Sequence, residues 1–334
     1  MVNVAIAGLG YWGPNLVRNF QACRRTAVTR LCDPDKERLR AAQTSWPAVR
    51  CSDSIAAALE DPAVDAIAIA TPVSSHYRLA KLALEAGKHV LVEKPLAASV
   101  REAEELVALA RRAGRVLLVD HVFVHSPAVK KMAEVVRSGE VGDLLFVDSV
   151  RINLGLLQHD VNVLWDLAPH DLSIIDHLIE RPARSVVAVG ATRGGRREDV
   201  AYLHLEYGSD LLASVHVNWL SPVKVRYFLV GGSRRSILYD DLNQSERVKI
   251  YDRGIDVSND PDGIRDVLVS YRSGDVFSPR LDSTEPLVNL VEHFVDCIEH
   301  GTTPISGGAQ GLRVVRILAA AEESLARGGA RIAL

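Results

Sequence analysis

The sequence predicts an α/β protein: a doubly wound parallel sheet comes first, followed by an α+β domain built on a largely antiparallel sheet. Three observations predict it. Up to about residue 120, short apolar strands alternate with helical stretches, the rhythm of strand–helix–strand units. Beyond His121, strands dominate and several alternate every second residue, as in Val225, Tyr227 and Leu229. The length of 334 residues also exceeds what one hydrophobic core usually organises. The expected division is 1–121 and 122–334, with C-terminal helices able to pack back on the first domain.

In the first part, residues 2–7, 28–32, 66–70, 89–92 and 116–120 read as strands. Helices are expected over 15–23, 36–45, 54–59, 76–86 and 100–113. Gly87 and Gly114 act as left-handed stops for the last two. A helix over 128–138 opens the second part. Strands over 145–153, 185–191, 200–207, 210–219, 225–230, 236–241 and 247–252 follow, interrupted by a helix expected over 169–179. The polar stretch 254–280 reads as a long loop. Helices over 285–300 and 311–327 close the chain.

Composition narrows the function classes. Hydrophobic residues make up 48% and the formal net charge is -3, with acids and bases mixed along the chain. That balance gives no support for nucleic-acid binding or a membrane surface. No apolar run reaches the roughly 18 residues of a membrane span, and Val2–Ala7 reads as a strand, not a secretory segment. Cys23, Cys32, Cys51 and Cys297 lack metal-ligand spacing and read as reduced thiols of a cytoplasmic protein. No His/Cys cluster calls for a metal.

Gly8-Leu9-Gly10-Tyr11-Trp12-Gly13 fits G-x-G-x-x-G. The pattern alone is weak, but here it follows a strand and opens a helix whose first turn suits Pro14. Such glycines let backbone N–H groups approach a pyrophosphate, and the helix N-terminus stabilises its charge. Asp33 follows at the end of the second strand, where an acid would bond the adenosine ribose. A carboxylate there repels a 2′-phosphate, favouring NAD over NADP, although Arg30, Lys36 and Arg38 are cations close enough to soften that preference.

Two further turns lie at carboxyl ends of parallel strands, where open α/β sheets bind ligands. One is Thr71-Pro72 with His76, the other Glu93-Lys94-Pro95. Lys94 at such an end would stand beside a nicotinamide; position alone fits a salt-bridged surface lysine equally well. In Trp165-Asp166-Leu167-Ala168-Pro169-His170-Asp171, Pro169 reads as the first residue of a helix. His170 would then sit in its first turn, where the dipole disfavours imidazolium. Asp166 would orient the ring and Asp171 would stabilise the helix terminus. A satisfied structural histidine fits the same residues.

Together these segments resemble the glucose–fructose oxidoreductase/inositol dehydrogenase/MocA (Gfo/Idh/MocA) family over essentially the whole chain. The resemblance rests on Ala7–Gly13, Ala70-Thr71-Pro72 with His76, Ala86–Pro95 ending in Glu-Lys-Pro, and Asp166 four residues before His170. It implies a Rossmann domain, an open-faced sheet that mediates homodimer or homotetramer contacts, and a catalytic group of Lys94, Asp166 and His170. It implies cofactor contacts from Gly8, Gly10, Tyr11, Trp12, Gly13, Asp33, Thr71, Pro72, His76, Glu93 and Lys94. Two positions depart from the family pattern: Asp120-His121, where a glycine and a polar residue are expected, and Ala168, where glycine is common before the proline.

Gly10–Asn15, Asn153-Leu154-Gly155 and Val161–Asp166 look like members acting on nucleotide-linked sugars in deoxy- or amino-sugar biosynthesis. His121, Arg151, Asn153, Asn162 and His170, with Gln158 and His159, are then candidate substrate contacts. Arg151, Arg193, Arg196 and Arg197 are candidate partners for a diphosphate. The expected chemistry interconverts a ring hydroxyl and a ketone. His170 moves the proton and Lys94 steadies the oxygen, each acid/base contact giving on the order of 10²–10⁴ in rate. Two alternatives remain: an inositol or free-sugar dehydrogenase, and a non-catalytic dinucleotide-binding regulator.

Overall fold

The computed structural model describes residues 1–155, 161–193, 197–252, 254–257, 269–272 and 274–334. They form two compact units, Met1–Ser126 with Thr284–Arg316, and Pro127–Ser283 with Ile317–Leu334.

The first unit opens with β1 (Val2–Ala7), α1 (Gly13–Ala22), β2 (Thr26–Cys32), α2 (Lys36–Ser45), β3 (Arg50–Ser52), α3 (Ala56–Glu60), β4 (Ala66–Ile69), α4 (Val73–Glu85), β5 (His89–Glu93), α5 (Val100–Ala113) and β6 (Leu117–Asp120). The sheet order is β3-β2-β1-β4-β5-β6, and every pairing is parallel. The reversal of order at β1 and β4 opens a crevice at the carboxyl ends of the strands. β4 is apolar throughout because both faces of a parallel sheet are covered. The short edge strand β3 is too polar to have declared itself in the sequence.

Helix ends follow local chemistry. The Asp35 carboxylate accepts from the Glu37 and Arg38 N–H groups and starts α2. The Ser99 hydroxyl accepts from the Glu102 N–H and starts α5, which Gly114 stops at φ 61°. Later in the chain α8 (Pro286–His300) returns to this unit and packs on α1. Phe20 and Phe294 meet edge to face, with centroids 6.3 Å apart.

The second unit holds α6 (Pro127–Arg137), β7 (Leu144–Leu154), α7 (Val163–Leu178), β8 (Ser185–Ala191), β9 (Val200–Glu206), β10 (Leu212–Asn218), β11 (Leu220–Gly232), β12 (Ser236–Asp240) and β13 (Val248–Tyr251). Their sheet runs β16-β13-β12-β11-β7-β10-β9-β8-β17, where β16 is Val276–Phe277 and β17 is Ile332–Ala333. Only the β7–β10 pair is parallel. Ala201, Leu203 and Leu205 of β9 are buried on one face, where α7 packs. Tyr202 and His204 project from the other, and Tyr202 stacks on His216 at 4.2 Å.

The stretch expected as a loop over 254–280 is in part strand. It contributes β14 (Gly254–Val257) and β15 (Val269–Arg272), paired antiparallel, and the short β16. The last helix, α9, covers Gly308–Ala326.

Candidate active site

At the carboxyl edge of the parallel sheet, the turn after β1 is closed from behind by backbone. Gly8 has φ 97°, and a Cβ there would strike the Ala70 carbonyl and lie 2.8 Å from the Thr71 methyl. A Cβ at Gly13 would strike the Gly8 carbonyl. Gly10 differs: a Cβ there would meet nothing nearer than the Arg38 guanidinium at 3.7 Å. The outer side of the turn is therefore open to a pyrophosphate, and no side chain caps the α1 N-terminus behind it. On these observations the residues fit a dinucleotide.

Asp33 is buried, and its role is partly internal. Its Oδ2 accepts from the Leu9 N–H at 2.6 Å and its Oδ1 from the Asp35 N–H at 2.8 Å, so it braces the glycine turn as well as facing it. Arg38 stands 3.7 Å from the same carboxylate. Tyr11 is 92% exposed on the turn, with its ring 6.4 Å from that of Trp12.

His76, on α4, is buried between two turns. Its Nδ1 lies 2.8 Å from the Pro95 carbonyl and its Nε2 2.8 Å from the Thr71 carbonyl. Burial holds its pKa below the usual histidine value, and a neutral ring donates to one carbonyl at a time. It thus ties the Thr71-Pro72 turn to the cis Lys94–Pro95 turn. Glu93 ends β5, and its Oε2 accepts from the Lys94 N–H at 3.2 Å. Asp120 ends β6 and accepts from the Trp12 indole N–H at 2.9 Å. His121 is fully buried with neither ring nitrogen hydrogen-bonded; burial first, then Lys94, pushes its pKa down to about 3. The first unit thus gathers the glycine turn, Asp33, Thr71, Pro72, His76, Glu93, Lys94, Asp120 and His121 along one edge.

In the second unit the helix carrying Asp166 and His170 starts earlier than the sequence suggested. Asn162 is its N-cap: the side-chain oxygen accepts from the Trp165 N–H at 3.2 Å. Pro169 lies inside α7, so His170 is in the second turn and the first-turn dipole argument does not apply to it. The longer helix does something else. Asp166 and His170, four residues apart, fall on one face one turn apart. Asp166 is in the first turn and accepts from the Trp219 indole N–H at 3.1 Å. The Trp219 carbonyl in turn takes the Gly155 N–H just beyond β7, and Asn153, near that end of the strand, is half-buried.

Two expected substrate contacts are engaged in the frame instead. Arg151 is buried on β7. Its Nε donates to Asp171 Oδ2 at 2.8 Å and its Nη2 to Oδ1 at 3.1 Å, while the Ser149 hydroxyl donates to Oδ1 at 2.9 Å. Asp171 is accordingly the anchor of mid-α7 on the sheet, not a helix-terminus acid. Asn162 is buried, caps α7 and donates to Glu198 at 3.1 Å. Arg193 and Arg197 are exposed on the loop after β8. That loop touches the start of α7, where the Val163 N–H donates to the Glu198 carbonyl at 3.0 Å. Gln158, His159 and Arg196 lie outside the described residues.

Sequence reading did not single out Trp219 or the partnership of Trp12 with Asp120, because each links segments far apart in the chain. The α7 start did have a signal: Asn162 precedes Val163-Leu164 with an acid in the first turn. Among the described residues no group of histidine, cysteine and carboxylate side chains could hold a metal. None of the described helices is long and apolar enough to cross a membrane.

Two family models match the chain: the GFO/IDH/MocA oxidoreductase family with its NAD-binding Rossmann fold over residues 2–121, and the GFO/IDH/MocA C-terminal domain over 129–238. D-apiose dehydrogenase of Paraburkholderia graminis is 26% identical over 95% of this chain and 85% of its own. UDP-N-acetylglucosamine 3-dehydrogenase of Acidithiobacillus ferrooxidans is 26% identical over 94% of both chains. Its solved structure covers 98% of both with a TM-score of 0.84. The scyllo-inositol 2-dehydrogenase of Bacillus subtilis is 25% identical over 91% of this chain and 88% of its own. With a dinucleotide cradle at one sheet edge and family models spanning both units, the chain belongs to the Gfo/Idh/MocA family and is an NAD-dependent oxidoreductase acting on CH–OH groups.

Proposed function

We propose that this enzyme interconverts a ring hydroxyl and a ketone on a sugar, and that the sugar is nucleotide-linked. The observation that carries the chemistry is the placement of Asp166 and His170 one turn apart on α7, with the acid fixed by Trp219. Bound NAD supplies the hydride acceptor, or in its reduced form the donor. The chain's part is the proton. His170 takes it from the hydroxyl in oxidation and returns it in reduction, Asp166 orients the ring, and the Lys94 ammonium holds the same oxygen as negative charge develops. A trapped ground-state alcohol gains little from such a contact, so the benefit is to turnover.

His170→Ala and Lys94→Ala should each lower kcat on the order of 10²–10⁴-fold while the Kd for NAD changes little. Weakened NAD binding with normal turnover at saturating NAD would sink the assignment.

Likeness to the UDP-N-acetylglucosamine 3-dehydrogenase over nearly both whole chains supports a nucleotide-linked substrate. So does the cationic loop bearing Arg193 and Arg197 at the start of the catalytic helix. Arg151 drops out of that argument, since Asp171 engages it. The second reading, an inositol or free-sugar dehydrogenase, is favoured by the equally distant D-apiose and scyllo-inositol enzymes. Calorimetry of the NADH-loaded protein with UDP-sugars, dTDP-sugars, free hexoses and inositols separates the two. Tightest binding by a nucleotide-sugar supports the first reading, and tightest binding by a free polyol supports the second.

Arg38 beside Asp33 is the cation that would meet a 2′-phosphate, so NADP is the expected weaker alternative. The face of the nine-stranded sheet that carries Tyr202, His204 and His216 supports assembly through a second copy, as a homodimer or homotetramer of a cytoplasmic enzyme. Light scattering at working concentration tests it.

A further inference from the structure

We propose that Asp120 is a positioning residue that latches the glycine turn to the nicotinamide end of the sheet, acting as half of a hydrogen-bonded carboxyl pair with Glu93. The inference rests on the reading that the nicotinamide lies at the carboxyl ends of β5 and β6, beside Lys94.

Geometry supplies the pair. Glu93 and Asp120 are register partners on adjacent parallel strands, so their side chains leave the sheet side by side. One oxygen of each is accounted for: Glu93 Oε2 by the Lys94 N–H, and Asp120 Oδ2 by the Trp12 indole. The remaining two, Glu93 Oε1 and Asp120 Oδ1, are buried and take no donor from any neighbour. The two carboxyls lie within hydrogen-bonding reach of each other. Two carboxylates in such a site cannot both stay charged, and one proton placed between them satisfies both orphaned oxygens. Burial and the adjacent Asp120 push Glu93 well above the ordinary carboxylate range, and burial raises Asp120 as well.

The surrounding groups leave the pair as the local titrating unit. Lys94, in the turn after β5, is the nearby cation for both acids. His121, after β6, is held neutral by burial, as is His76 on α4. Trp12, at the start of α1, contributes only a neutral N–H. With the shared proton in place, the pair carries one negative charge against the Lys94 ammonium. When that proton leaves, a second negative charge appears beside the nicotinamide. Oxidised nicotinamide is a cation and reduced nicotinamide is neutral, so the pair grades the two cofactor forms by charge. Through the indole bond the same pair fixes the turn that cradles the pyrophosphate.

The test is the affinity of NAD and of NADH measured from about pH 5 to about pH 9, a range that takes in documented values for buried carboxyls. In the natural protein the preference for NAD over NADH should grow with pH by on the order of tenfold. Asp120→Asn keeps an acceptor for Trp12 and a permanent donor for Glu93, so its preference should be independent of pH. If that variant does not fold, Glu93→Gln removes the other acid and should give the same flat profile. Trp12→Phe breaks the latch alone: both forms should bind several-fold more weakly, with the pH trend kept. A flat profile in the natural protein, an unchanged trend in the carboxamide variants, or unchanged affinities in Trp12→Phe would overturn the assignment. ADP-ribose, which lacks the nicotinamide, should bind without the trend. If it shows the same trend as NAD, the placement of the nicotinamide is what fails.

Discussion

The carboxyl edge of the parallel sheet and the helix α7 treat buried charge in opposite ways. At the edge, Glu93 and Asp120 each keep a buried oxygen without a donor, and neither ring nitrogen of the buried His121 has a hydrogen-bond partner. Around α7 the acids are closed off: Asp171 accepts three bonds from Ser149 and Arg151, and Asp166 accepts from Trp219. Unsatisfied buried polar atoms cost free energy unless something completes them, and a proton shared between two acids is one such completion. Satisfied ones fix a helix before any ligand is present. One region leaves two buried acids to share a proton, and the other pairs its acids with donors that fix α7 on the sheet.

Removing one partner of the closed network tests that contrast most severely. Asp171→Ala leaves Arg151 buried against a missing carboxylate and should cost about 3–5 kcal/mol, read as a lower urea midpoint. Replacing both Asp171 and Arg151 with apolar residues of similar volume should recover much of that loss. A mild effect of the single change would mean that the frame is less closed than its bonds suggest.

Gly8→Ala comes next. A Cβ there faces the Ala70 carbonyl at a positive φ, and such strain costs on the order of 1–3 kcal/mol. Gly10→Ala has room for its methyl, so its melting temperature should stay close to that of the natural protein while NAD affinity falls. Equal losses of stability in the two variants would remove the distinction between a turn closed from behind and open in front.

The smallest expected effect is on acid stability. His89 is held down to about 4 by burial, then by Arg115, and His121 to about 3. Both lie below the unfolded value near 6.5, so the unfolded chain binds more protons over that interval. Their contribution is complete above about pH 6.5 and is lost as the pH falls towards 4. His89→Gln should flatten the urea midpoint across that window by on the order of 1 kcal/mol. An unchanged slope would place the acid sensitivity elsewhere.

The first unit was legible because its signals are local. Strand, glycine turn and helix follow one another within Val2–Ala22, and Asp33 closes the next strand. Glu93-Lys94-Pro95 and Asp166 with His170 were readable as short patterns. The beginning of α7 was less legible because Pro169 reads as a helix start, although the Asn162 cap lies seven positions upstream. The fates of Arg151 and Asn162 were not legible, because a polar residue at a strand end looks the same whether it meets a substrate or a buried acid. Trp219 with Asp166, and Trp12 with Asp120, are long-range pairs that no spacing rule brings together.

β7 has one more consequence. It lies in the interior of the nine-stranded sheet, parallel to β10 on one side and antiparallel to β11 on the other, and both partners come much later in the chain. As the chain leaves the ribosome, the strand that anchors α7 through Ser149 and Arg151 therefore emerges long before either neighbour exists. Its amides stay open until β10 and β11 arrive. The high contact order makes assembly of this sheet slow and leaves an apolar strand exposed to misassociation in the interval. Once the neighbours are in place, the backbone of β7 should be among the last in the second unit to exchange its protons with solvent.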